Sequence, residues 1–145
     1  KAMLTIARLR VAEQFYLEAI KVYESLRNHY SGTDEALEAL AREAEVRVRC
    51  LHEWSYNRAR CQDSINFFKL ALKNCRESDR EKISGYLDDA LAQLEAEDYR
   101  GAKFYDSPTR TVRSAISAYE RFLMDHPNGV YSEAVRQRLS TLKGE

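Results

Sequence analysis

Proline is nearly missing from this sequence: 145 residues hold two, and the first is Pro108. Glycine is scarce as well, at five residues. Sandwiches and barrels need turn chemistry every roughly 8–12 residues, so an all-β fold is excluded. Long apolar runs are lacking too. No window reaches the roughly 18 consecutive apolar residues that a membrane-spanning helix requires. No basic stretch followed by an apolar one reads as a signal peptide. The chain opens on Lys1 in mid-helical pattern with no initiator Met, so the expectation is a fragment or processed product with its targeting information upstream. Neither sign of charge is in excess, with 23 basic against 23 acidic residues. That balance argues against a nucleic-acid or anionic-lipid surface, which needs a net basic face. Three cysteines, Cys50, Cys61 and Cys75, form an odd set without C-x-x-C spacing, so zinc and redox motifs lack support. In a hairpin turning at 57–60, Cys50 lies opposite 66–67 rather than Cys61, out of disulfide reach. The cysteines read as small apolar packers.

What is abundant is helix-forming side chain. Ala, Glu, Lys, Leu and Arg supply 70 of the 145 residues, a share typical of long helices. Leu4, Ala7, Val11 and Phe15 form one apolar stripe, and Leu9, Ala12, Tyr16, Ile20, Tyr23, Leu26 and Tyr30 another, predicting one broad buried helix. Ser31-Gly32 stops it, with Gly able to take the left-handed conformation of a helix end. Thr33 or Asp34 then caps a second helix with Ala36, Leu37, Leu40, Ala44, Val48 and Leu51 on its apolar face, ending near residues 54–57. A third helix is expected from about Gln62, and a fourth from the Ser78-Asp79 cap toward Phe104-Tyr105. Gly101 within it suggests close packing or a frayed end. After Asp106-Ser107-Pro108 a fifth helix uses Val112, Ala115, Ile116, Tyr119, Phe122 and Leu123. His126-Pro127-Asn128-Gly129 ends it, and Ser132 is expected to cap a last short helix.

The chain also repeats itself. Ala19-Ile20-x-x-Tyr23-Glu24-x-Leu26 recurs as Ala115-Ile116-x-x-Tyr119-Glu120-x-Phe122. Each copy runs into a breaker, Tyr30-Ser31-Gly32 or His126-Pro127-Asn128-Gly129, and then into Glu35-Ala36 or Glu133-Ala134 at the next helix. A weaker copy, Ser64-Ile65-x-x-Phe68, stands between them at steps of 45 and 51 residues. Such a period is the signature of stacked helical units.

These residues resemble the tetratricopeptide-repeat family, in which a small-Ile-x-x-Tyr/Phe helix precedes a Tyr-Pro-x-Ser-type turn. Three stretches are more closely similar to the D-type lipoproteins of the outer-membrane β-barrel assembly machine and their relatives. They are Ala102-Lys103-Phe104-Tyr105-Asp106, Ala115-Ile116-Ser117-Ala118-Tyr119-Glu120-Arg121-Phe122-Leu123 and His126-Pro127-Asn128-Gly129-Val130-Tyr131-Ser132-Glu133-Ala134. The resemblance implies an all-α fold, a tetratricopeptide-like α-solenoid of about three helical hairpins in a single domain over 1–145. Its repeats would span about 2–31, 33–76 and 79–126, with a capping helix over about 131–143. It further implies a periplasmic protein held at the outer membrane through a lipidated cysteine upstream of this chain, binding other assembly components. Two departures stand out. The chain contains no lipobox, and Gln14-Phe15-Tyr16 replaces the Gly-x-Tyr turn between paired helices, which would fuse the first pair into one helix.

No residue set reads as catalytic, cofactor-binding or metal-binding. His29, His52 and His126 lie on separate segments without ligand spacing, and no nucleotide or nucleophile motif occurs. The carboxylates Asp88-Asp89, Glu95, Glu97 and Asp98 read as polar helix faces. Arg42, Arg47, Arg49, Arg58 and Arg60 surround Trp54 and Tyr56, a composition typical of interface hot spots. Glu43, Glu45 and Glu53 interleave with them, as on a salt-bridged solvent face. The expected partner-binding residues are Arg49, Trp54, Tyr56, Arg58, Tyr99 and Tyr105, on a non-enzymatic scaffold that needs no cofactor and recognises protein or peptide partners. The alternative is a generic cytoplasmic repeat adaptor or oligomerisation module. The stripe over residues 4–15 is expected to pack against a missing helix or a second copy.

Overall fold

Short polar side chains and two left-handed glycines, Gly32 and Gly144, set the helix boundaries. In the computed structural model the described residues are 2–53 and 55–145, with side chains described from residue 13 onward. Among them the fold is all-α, with six helices and no strand: α1 (Ala2–His29), α2 (Asp34–Glu53), α3 (Arg58–Asn74), α4 (Glu77–Phe104), α5 (Val112–Asp125) and α6 (Ser132–Lys143). The chain divides into two compact units, Lys1–Leu91 and Ala92–Glu145, with the boundary inside α4.

In the first unit α1 runs unbroken through Gln14-Phe15-Tyr16. Gly32 takes φ 82° after it, a conformation that a side chain would strain. Thr33 then closes the turn: its hydroxyl donates to the Tyr30 carbonyl at 2.6 Å and accepts from the Ala36 amide at 3.2 Å. Of the two expected caps, Thr33 is the one used. α2 lies against both α1 and α3. It buries Ala36, Ala39, Leu40 and Ala44. α3 starts earlier than the periodicity suggests because Asn57 accepts from the Arg60 amide at 3.0 Å, adding a first turn ahead of Gln62. α3 supplies the largest part of the core. Cys61, Ile65, Phe67, Phe68 and Ala71 are buried, and each fully buried large apolar side chain contributes about 1.5–3 kcal/mol. The Phe68 ring meets Tyr86 of α4 at 6.0 Å, while the Cys61 thiol donates to the Ala90 carbonyl at 3.5 Å.

The second unit is built from the end of α4, α5 and α6. Ala102, Ala115, Tyr119, Phe122, Val135 and Leu139 form its core, edged by Tyr99, Ile116 and Tyr131. Thr111 caps α5 by accepting from the Ser114 amide at 3.2 Å. Two sequence expectations need correction here. Gly101 lies inside α4 with nothing within 4 Å of where a Cβ would stand, so neither close packing nor a frayed end accounts for it. Ser132 does not cap α6. It is the first residue of that helix, and its hydroxyl is turned back into the preceding turn.

Candidate functional site

Three side-chain clusters stand out, one in the first unit and two in the second. The first is a buried ion cluster. Glu43 lies on the apolar stripe of α2, three residues beyond Leu40 and seven beyond Ala36, and is 0% exposed. One carboxylate oxygen sits 3.0 Å from a terminal nitrogen of Arg27 on α1, and the other 3.9 Å from Arg47 one turn along α2. Both guanidinium groups lie over the Phe67 ring, at 5.3 and 4.7 Å from its centroid. Burial pushes the Glu43 carboxyl upward, against the opposing pull of Arg47 and Arg27. This corrects the reading of Glu43 as part of a solvent face. The signal was present in the sequence, since position 43 continues the spacing of the buried alanines and Arg47 follows at i+4. The cluster ties α1 to α2 through the carboxylate and both to α3 through the Phe67 ring.

The second cluster holds the α5–α6 turn. His126 Nε2 lies 2.8 Å from the Asp98 carboxylate of α4. Glu95, one turn earlier and only 8% exposed, accepts the Tyr131 amide at 3.0 Å. A carboxylate from α4 thus satisfies a backbone donor at the start of α6, where the helix dipole favours negative charge. Between them Ser132 accepts the Gly129 amide at 2.7 Å and donates to the His126 carbonyl at 2.6 Å. Tyr99 stacks on Tyr131 at 4.3 Å and 14°, and meets Phe122 edge-on at 5.9 Å. Glu95 and Asp98 therefore do specific structural work, contrary to their reading as a polar face. Spacing within α4 could not reveal this, because their partners come from another segment.

The third cluster is at the α4–α5 junction and faces outward. Phe104 is 59% exposed, Tyr105 42% and Val112 54%. The Arg110 guanidinium lies 4.1 Å over Phe104 and 5.6 Å from the Tyr105 ring, and no described carboxylate pairs with it. Asp106, in the same junction, is fully engaged. Arg138 grips both of its oxygens at 2.8 and 3.0 Å, and the Tyr119 hydroxyl donates to it at 2.7 Å. The Arg138 guanidinium holds the Asp106 carboxyl below the usual carboxylate range, with help from Tyr119. Burial, with the Asp106 contact second, pushes the Tyr119 phenol well above its ordinary value.

The expected partner-binding residues fall in both units. Arg49 on α2 and Arg58 at the start of α3 are exposed, and Tyr56 between those helices is half-buried. Trp54 lies outside the described residues. Tyr105 belongs to the exposed junction, whereas Tyr99 commits its ring to Tyr131 and Phe122. Sequence reasoning missed Phe104 and Arg110 as companions of Tyr105. The expected stripe at residues 4–15 lies mostly outside the described side chains, although Phe15 is 67% exposed. No group of three His, Cys, Asp or Glu side chains suited to a metal ion occurs among the described residues. The thiols differ in setting: Cys61 is buried, Cys50 and Cys75 are half-buried, and burial pushes Cys50 up to about 11. No helix among the described residues is long and apolar enough to cross a membrane. Compared with known proteins, the chain matches no family model, no curated protein and no solved structure.

Proposed function

We propose that this chain is a non-enzymatic protein–protein interaction scaffold, a tetratricopeptide-like α-solenoid acting in assembly of the bacterial outer envelope. In this reading it works in the periplasm, held at the outer membrane by a lipid anchor upstream of residue 1. The observation that carries the reading is the duplicated Ala-Ile-x-x-Tyr-Glu unit. Both copies end in a breaker followed by Glu-Ala, and both fall on a helix that packs against the next one, α1 on α2 and α5 on α6. Repeated helical hairpins serve as rigid platforms for partner segments.

The contact surface best suited to the role is Phe104, Tyr105 and Arg110. Two exposed aromatic rings and an arginine lying over them are residue types that dominate interface energetics, and a guanidinium already held by the rings loses less freedom on binding. The test is affinity capture from envelope extracts with the chain as bait, against an unrelated helical-repeat protein as control. Enrichment of outer-membrane assembly components, lost in the Phe104→Ala and Arg110→Ala variants at unchanged helicity, is the expected result. Equal recovery on the control bait would sink the envelope assignment. Enrichment that survives both substitutions would move the contact surface elsewhere, with Arg49, Tyr56 and Arg58 next to be tested.

A further inference from the structure

We propose that Asn128–Gly129 is a conformationally gated deamidation site, kept closed by the Ser132 hydroxyl. Asn128 is exposed in the turn that links α5 to α6, and the residue after it has no side chain to hinder attack. The reaction needs only water and base. The Gly129 amide nitrogen gives up its proton to solvent hydroxide and attacks the Asn128 side-chain carbonyl carbon. A carbon–nitrogen bond forms, the side-chain amide leaves as ammonia, and a five-membered cyclic imide remains. Water then opens either carbonyl of the imide, leaving Asp or isoaspartate at 128, and no redox partner takes part.

The fold controls the nucleophile. The Gly129 N–H donates to Ser132 Oγ at 2.7 Å, and that hydroxyl is itself anchored on the His126 carbonyl at 2.6 Å. Ser132 is 1% exposed, so water does not readily take its place. A Cβ built on Gly129 would meet the Glu95 carboxylate at 2.0 Å, so a second side chain crowds the glycine and leaves it little room to shift. Attack therefore requires the Gly129 amide to leave Ser132, a local opening of the turn. The product reports that opening permanently. Isoaspartate lengthens the backbone by one atom beside a glycine already hard against Glu95, so the modified turn cannot re-form the same contacts.

The experiment follows the tryptic peptide 122–136 by mass spectrometry during mildly alkaline incubation, reading conversion of amide to acid. It compares the full chain in buffer, the full chain in concentrated urea, and the Ser132→Ala chain in buffer. The expected order is urea fastest and folded wild type slowest. Losing one neutral hydrogen bond should raise the folded-state rate in Ser132→Ala roughly three- to tenfold. Equal rates in buffer and urea would overturn the gating, and an unreactive chain in urea would overturn the site itself. Ser132→Ala at the wild-type rate with intact helicity would overturn the role of Ser132. Should that variant fail to fold, Glu95→Ala decides: it removes the side chain that crowds Gly129, so a rise in rate supports the gate and an unchanged rate refutes it.

Discussion

Replacing Gly129 by Ala should set a methyl group against the Glu95 carboxylate. The new Cβ would lie 2.0 Å from Oε1, 2.3 Å from Cδ and 2.5 Å from Oε2, well inside contact distance. Either the carboxylate or the turn must give way. If Glu95 withdraws, it surrenders the Tyr131 amide, a charge-assisted bond whose loss costs about 1.5–3 kcal/mol. If the turn moves, it surrenders the bond between Gly129 and Ser132 and repacks a dense corner, and overpacking of this kind costs about 1–3 kcal/mol. Both routes converge on about 2 kcal/mol of lost stability. Because the obstacle is a single side chain, a double-mutant cycle isolates it. In a Glu95→Ala background the same glycine substitution should cost less than about 0.5 kcal/mol, leaving a coupling of about 1.5 kcal/mol. Urea unfolding by far-UV circular dichroism gives the four stabilities, and hydrogen exchange of residues 122–136 places the loss in the turn. A Gly129→Ala cost that is the same in both backgrounds would refute the steric argument. Gly101→Ala supplies the opposite sign in the same assay. It adds a methyl to open space inside a helix and should stabilise by about 0.5–1 kcal/mol.

Glu43→Ala should be among the most damaging substitutions in the first unit, costing about 3–5 kcal/mol, because it leaves the Arg27 and Arg47 charges facing each other with no carboxylate between them. Thermal unfolding reads this loss, and a variant replacing all three residues by apolar ones of similar size should recover most of it. Asp106→Ala orphans the buried Tyr119 hydroxyl and should cost about 1–3 kcal/mol by the same measurement. The two carboxylates should also respond to pH with opposite signs. Asp106 is held below its reference value of 3.8, so its contribution is present above that pH and lost as pH falls through the folded-state value; Asp106→Asn should flatten acid destabilisation. Glu43 is pushed above its reference value of 4.5, so its contribution is fully present below that pH and lost as pH rises through the folded-state value. A Glu43→Gln chain should accordingly gain less stability, relative to wild type, as pH falls from neutrality toward about 4.5. An identical pH slope in wild type and Glu43→Gln would contradict the burial argument.

Periodicity made the helices legible because each element buries a stripe whose spacing is local. Ala36, Leu40 and Ala44 predict one face of α2 without knowledge of its partner, and the breaker residues mark where each stripe must stop. Where the sequence reading slipped, a side chain took a partner that helical spacing does not specify. Asn57 extends α3 by a turn because its side-chain oxygen accepts from the Arg60 amide, and Ser132 gives up the expected cap because its hydroxyl is spent on the Gly129 amide and the His126 carbonyl. Glu95 could not be assigned to the Tyr131 amide from α4 alone, since 36 residues separate the two groups.

The two copies of the repeated unit show how far a shared pattern constrains burial. In the second copy Ala115, Tyr119 and Phe122 are 2%, 2% and 3% exposed. In the first, Ala19 and Tyr23 are only half-buried and Leu26, the counterpart of Phe122, is 36% exposed. The pattern sets which way a helix face points, but its neighbours decide how completely that face is covered. For α5 the cover is supplied partly by the aromatic pair Tyr99 and Tyr131 and by Asp106 on the Tyr119 hydroxyl. In the proposed reading, the face that contacts a partner is not the repeated one. The exposed junction of Phe104, Tyr105 and Arg110 lies outside the repeat unit, where sequence is not held by the core and can answer to a ligand. In that reading the repeat motif marks the platform, and the residues between its copies are where specificity would reside.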